Sequence, residues 1–145
     1  MQPGFSLGAV RVYLGDKSGK YPDGNQVIVQ GRDARVAFDT PQVARHVGAD
    51  LDGVDAVILG HVHEDHMVAL GRLPRARVQV HEADLAAAQS WAGLGRHYGY
   101  PDAVLAQMKP MIERDFDYAP RPDATGYTDG ALWDLGGGVR VRAHH

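Results

Sequence analysis

Residues 55–66 read DAVILGHVHEDH. A short, wholly apolar run flanked by turn-forming residues suits a strand buried on both faces. Here that strand ends abruptly in titratable groups. Three of the chain's eight histidines, with two acids, occupy six consecutive positions, 61–66. A charged surface loop, a tag-like run and a metal site are the candidate explanations. One histidine beside a strand is usually structural, whereas three in the order HxHxDH directly behind a buried strand point to metal chemistry.

In an extended segment side chains alternate, so His61, His63 and Asp65 project to one side, and His66 joins them if the chain turns there. Imidazole and carboxylate are ligands for zinc, with iron or manganese as alternatives. Four donors at this spacing are too many for one open catalytic metal in a flat strand. They suit a division, with His61 and His63 on one ion and Asp65 and His66 on a neighbour. Two ions about 3.5–4 Å apart can clamp both ends of a hydrolytic displacement. The helical zinc-protease pattern HExxH is not met, because Glu64 is followed at once by Asp65 and His66.

The rest of the chain reads as α/β. SLGAVRVYL, QVIVQ and RVAF are strand-like, separated by the turn formers of KSGKYPDGN and GRDA. TPQVARHVG reads as a short helix with Thr40 as N-cap, Pro41 at its first position and Gly48 at its end. ARVQV is another strand, EADLAAAQSWAG an Ala-rich helix, and DAVLAQMKPMIERDF a helix that Pro110 should kink or interrupt. LWDLGGGVRVRA enters a last strand. No repeat or linker divides the 145 residues, so one domain over 1–145 is expected. A net charge of −3 offers no footprint for nucleic acid or an anionic membrane. No run approaches the ~20 apolar residues of a spanning helix, and the start lacks a signal-peptide pattern, which favours the cytoplasm. Zero cysteines exclude thiolate ligands.

DAVILGHVHEDH resembles the signature of the metallo-β-lactamase superfamily, whose members carry HxHxDH after a buried strand. GNQVIVQGRDARVAFDT is similar to that family's opening hairpin, ending in an acid, here Asp39. RLPRARVQVHEAD and TDGALWDLGGGVRVRAHH are similar to the segments that follow. The resemblance implies a four-layer αββα sandwich of which only the N-terminal half is present, so the single domain is expected to be truncated. It implies that His61 and His63 bind the first metal and Asp65 and His66 the second, with Asp39 beneath the site orienting an imidazole. The family's third histidine lies in a PGH segment that would begin at or beyond His145. His144 and His145 read as strand-end residues short of it. Three departures blur the subfamily: Gly60 for a hydroxyl residue, Pro41 for glycine, and MVAL after His66.

The implied activity is metal-dependent hydrolysis of an ester or thioester of the glyoxalase II kind, with two zinc ions and a small-molecule substrate. Asp65 would orient the attacking water and manage its proton. The alternatives are a mononuclear iron sulfur dioxygenase of the same fold, or a non-catalytic or incomplete fragment. With two donors per ion, residues 1–145 alone are expected to be a poor catalyst; with an apolar sheet face uncovered they are expected to aggregate, self-associate or bind the missing half, a homo-oligomer being one outcome. Among other residues, Asn25 reads as a turn residue and His81 as a strand end. His97, Tyr98 and Tyr100 read as a loop that either faces substrate or covers a core edge.

Overall fold

A computed structural model of the chain describes residues 2–145, with side chains from residue 4 on. The first β run contains a turn: β1 (Gln2–Leu7) and β2 (Val10–Leu14) form an antiparallel hairpin around Gly8, at φ 57°. β3 (Gln26–Gln30) and β4 (Arg35–Phe38) continue in antiparallel order. From there the pairing is parallel, β4 with β5 (Ala56–Leu59), β5 with β6 (Arg77–His81), and β6 with β7 (Thr125–Tyr127). These seven strands form one sheet in sequence order, and β8 (Leu132–Gly136) and β9 (Val139–Arg142) form a separate hairpin.

Parallel neighbours require crossovers. The β4–β5 crossover holds a 3-10 turn, Gln42–His46, and the one-turn helix α1 (Ala49–Asp52). The expected cap is corrected here. Pro41 precedes the turn without a side-chain cap bond, while buried Thr40 forms an isolated bridge with Met67 and its Oγ1 donates to the His66 carbonyl at 3.3 Å. Thr40 is drawn to the histidine loop instead of to its own helix. The β6–β7 crossover holds α2 (Leu85–Gln89), α3 (Trp91–Tyr98) and α4 (Asp102–Phe116). The Ala-rich helix breaks at Ser90, whose Oγ accepts the Gly93 N–H at 2.9 Å and so caps α3. The break lets α3 fold against α2 so closely that a Cβ on Gly93 would lie 1.8 Å from the Ala86 carbonyl oxygen. Pro110 sits inside α4 without ending it.

Alternation in β5 divides the core. Val57 and Leu59 face the helices and pack with Leu51, Leu94 and Ile112, while Ala56 and Ile58 face the other way and pack with Leu135. The β8–β9 hairpin covers that second face. Trp133 Nε1 donates to Gln79 Oε1 at 2.8 Å, and the Asp33 and Ala34 N–H groups donate to the Leu135 carbonyl at 2.9 and 3.2 Å. The layers are thus helices, a seven-stranded sheet and the first two strands of a second sheet. This is the half-sandwich expected, with part of the apolar face already covered.

The segment returning from the histidine loop to β6 is pinned by buried Arg121. Its guanidinium donates to the carbonyls of Leu70, Leu73 and Ala76 at 3.4, 3.1 and 2.9 Å, and pairs with Asp123. Arg121→Leu leaves three carbonyls without that donor, so it should destabilise the fold by about 2–4 kcal/mol in urea unfolding. A loss below about 0.5 kcal/mol would show that water or backbone replaces the guanidinium without cost.

Candidate metal centre

The carboxyl ends of parallel strands gather on one edge of a sheet, where crossover loops leave a crevice. At that edge β4 delivers Asp39, β5 delivers Gly60 and the histidine loop, and β6 ends at His81. The loop is shaped by what it buries. Val62 is fully buried between His61 and His63, so the two histidines project away from the core. A 3-10 turn at Glu64–His66 then swings His66 back, and Met67, also fully buried, fixes its end. The Thr40 N–H donates to the His66 carbonyl at 2.8 Å and ties the turn to the end of β4.

These constraints bring the rings together. The centroid of His61 lies 4.8 Å from that of His63 and 3.9 Å from that of His66. Asp39, in a left-handed conformation at φ 55°, points its carboxylate into the loop. Its Oδ1 accepts the Gly60 N–H at 2.7 Å, and its Oδ2 lies 2.9 Å from His66 Nδ1. That second pair is close but poorly aligned for a linear hydrogen bond. Buried Gln26 supports Asp39 from behind, its Nε2 donating to the carbonyls of Phe38 and Asp39, each at 3.1 Å.

With Nδ1 of His66 at Asp39, Nε2 is turned toward Asp65, 3.7 Å from its Oδ2. Two donors bound to one tetrahedral ion at 2.0–2.2 Å are about 3.3–3.6 Å apart, so this pair is near a ligand spacing. The carboxylate–imidazole arrangement is the one that fixes a metal-binding tautomer. The donor chemistry and this pair fit a zinc-type ion. The set as a whole is not spread to receive one: among the described residues no group of three or more His, Asp or Glu side chains stands ready to hold a metal. The contact of His61 on His66 accounts for this, because an ion between them requires the rings to part.

Glu64 within the loop, and Tyr21, His97 and Tyr98 around it, lie outside the expected ligand set. Glu64 accepts the Tyr21 hydroxyl at 3.1 Å on Oε1 and the Tyr98 hydroxyl on Oε2. Tyr98 stacks on His63 at 5.4 Å, and His97 meets the same ring edge-on at 5.7 Å. Gln26 and Tyr21 carry no motif that a sequence pattern would single out; Glu64 lies in the motif, but its partners are distant. His81 lies outside the cluster, its Nδ1 accepting the Ala83 N–H at 3.3 Å and its ring stacking on His145 at 3.7 Å. Asn25 closes a turn by accepting the Gly15 N–H at 2.9 Å. A cavity of about 800 Å³ runs between α3 and α4, and no loop histidine lines it.

The two inner imidazoles are tuned in opposite directions. Burial lowers the pKa of His61, and the neighbouring His66 and His63 add to it. Burial also works against charge on His66, but Asp39, with Asp65 and Glu64 adding to it, outweighs burial and the pKa rises. A raised folded-state value means that the His66–Asp39 pair stabilises the metal-free chain fully below the ordinary histidine pKa. That contribution is lost as pH rises through the raised value. In a proton NMR titration of the metal-free chain, His66 should keep its proton to higher pH than His61, and Asp39→Asn should lower the pH at which His66 loses it. Equal titration of both rings in the unsubstituted chain would show that the Asp39 contact is not formed in solution.

Neither family models nor curated proteins match the sequence. Solved structures do match. The FEZ-1 metallo-β-lactamase of Legionella gormanii superposes on 99% of the chain with a TM-score of 0.70 at 14% identity, using 52% of its own length. A metallo-β-lactamase family protein of Thermus thermophilus covers 95% at a TM-score of 0.61 and 20% identity, using 52% of its length. An archaeal metallo-β-lactamase superfamily protein of Sulfolobus tokodaii covers 81% at 0.60 and 20%, using 47% of its length. The chain therefore spans about half the length of the solved structures it matches. At these identities the likeness carries the architecture alone: the chain has the metallo-β-lactamase fold.

Proposed function

We propose that the chain carries the metal-binding half of a hydrolase that activates water for attack on an ester or thioester, with a binuclear zinc-type centre as cofactor. The observation that carries this reading is His66 held between two carboxylates, Nδ1 at Asp39 and Nε2 facing Asp65. In this reading His61 and His63 hold one ion, Asp65 and His66 the other, and Asp39 orients His66. A bound ion of this kind lowers the pKa of water toward ~7 and polarises a carbonyl. Asp65 has only 13% of its side chain exposed, so its carboxylate can orient a water and hold a proton with little competition from solvent. The likeness to structures named metallo-β-lactamases supports a hydrolase; the ester or thioester bond is our own inference from the donor set.

Cobalt(II) titration of the metal-free chain should show saturable uptake with visible absorption, abolished by His66→Ala. Asp39→Asn should weaken binding about 10- to 100-fold. Turnover of a thioester by residues 1–145 should be slow, because two protein donors per ion fall short of the three usual at a catalytic zinc. No saturable uptake would overturn the metal reading, and cleavage that persists in chelator would overturn the mechanism.

A further inference from the structure

We propose that the recess beside His63 is the subsite for an uncharged, apolar acyl group, which makes the substrate a neutral ester or thioester with a bulky hydrocarbon or aromatic acyl part. The proposal rests on the hydrolase reading and deepens it. The recess has a volume of about 440 Å³, within the ~300–1,000 Å³ of small-molecule pockets. His63 and Glu64 are among its lining residues. Tyr21 and Phe116 line it as one ring pair, 6.2 Å between centroids, and Tyr98 and Tyr100 as another, 6.1 Å apart and stacked. Met108 and Met111 of α4 line the remainder and supply adaptable, polarizable surface. Tyr21, Tyr100 and Met111 are 64%, 52% and 43% exposed, so apolar surface is left open next to the candidate centre. Contiguous exposure of this kind marks a binding surface.

Charge narrows the occupant. Neither lysine nor arginine lines the recess. Its carboxylate, Glu64, is already engaged on both oxygens by the Tyr21 and Tyr98 hydroxyls. The remaining basic group, His97, has its Nδ1 3.8 Å from Asp84. Arg96 and Lys109 belong to the groove on the far side of Tyr100, where Lys109 pairs with Glu113 at 3.0 Å. Away from the metal end, an anionic acyl group placed here would lose its hydration, meet no lysine or arginine and approach Glu64. A cationic one would have to displace two hydroxyls.

The test uses the metal-free chain, so that binding is read apart from catalysis. Benzylacetone and its isosteric carboxylate, hydrocinnamate, are titrated by NMR. Benzylacetone should bind at least about tenfold tighter and shift signals of Tyr98, Tyr100 and α4. Tyr100→Ala and Met111→Ala, half-exposed positions whose fold is checked by circular dichroism, should each weaken it roughly fivefold. Hydrocinnamate binding as tightly or more tightly would overturn the proposal. So would the absence of saturable benzylacetone binding, or binding that ignores both substitutions. Intact benzylacetone binding with no saturable cobalt(II) uptake would instead sink the hydrolase reading and leave the subsite standing.

Discussion

The Asp39 carboxylate lies where the carboxyl ends of β4 and β5 meet, and it holds two groups at once. One oxygen takes the Gly60 N–H, which fixes where the chain leaves β5; the other takes up His66, which fixes where the loop returns. Both ends of the loop are thereby referred to a single side chain on a neighbouring strand. Parallel pairing makes this geometry available, because only parallel strands bring two carboxyl ends side by side. The left-handed φ of 55° at Asp39 is the local cost, tolerated by aspartate better than by most residues. Gln26 holds the peptide in that conformation by donating to the carbonyls on either side of the bend.

Around this anchor the site combines two kinds of surface. On the Asp39 side, carboxylates face imidazoles and favour charge. On the Tyr98 side, aromatic rings cover His63, and the one carboxylate present is satisfied by phenols. His63 belongs to both, since its ring meets His61 on one side and stacks on Tyr98 on the other. A reactive bond held near His63 would therefore sit at the boundary between a polar centre and an apolar wall.

Much of this was legible in the sequence because the signals are local. DAVIL is short, apolar and flanked by turn formers, and it is a strand buried on both faces. HVHEDH alternates around Val62 and turns at Glu64, which brings its histidines together. The errors arose where a distant partner outweighed a local preference. Thr40 before Pro41 looks like a helix cap, but it bonds to His66, 26 residues away. EADLAAAQSWAG looks like one helix, but Ser90 finds a better use as the cap of the next. Glu64 has no role assigned from the sequence, because nothing in a linear sequence announces Tyr21 and Tyr98 as its donors. Hydrogen bonds between segments so far apart in the chain leave no periodicity to read.

The location of those long-range bonds has a consequence for how the site is built. The groups that set the histidine loop are Gln26, Asp39, Thr40, Gly60, Val62 and Met67, and every hydrogen bond among them begins and ends between residues 26 and 67. The β4–β5–β6 pairing and the core beneath it carry that segment, with Arg121 holding the return to β6. The aromatic wall has a different origin. Tyr98, Tyr100, Met111 and Phe116 come from α3, α4 and the turn between them, which meet the loop through side chains such as Tyr98 on Glu64. The donor set is thus fixed by sheet hydrogen bonding, which is geometrically strict. The wall is set by helix packing, which tolerates exchange of one apolar side chain for another of similar volume. In such an arrangement substitutions on the helices can reshape the wall while leaving His61, His63, Asp65 and His66 where the sheet puts them.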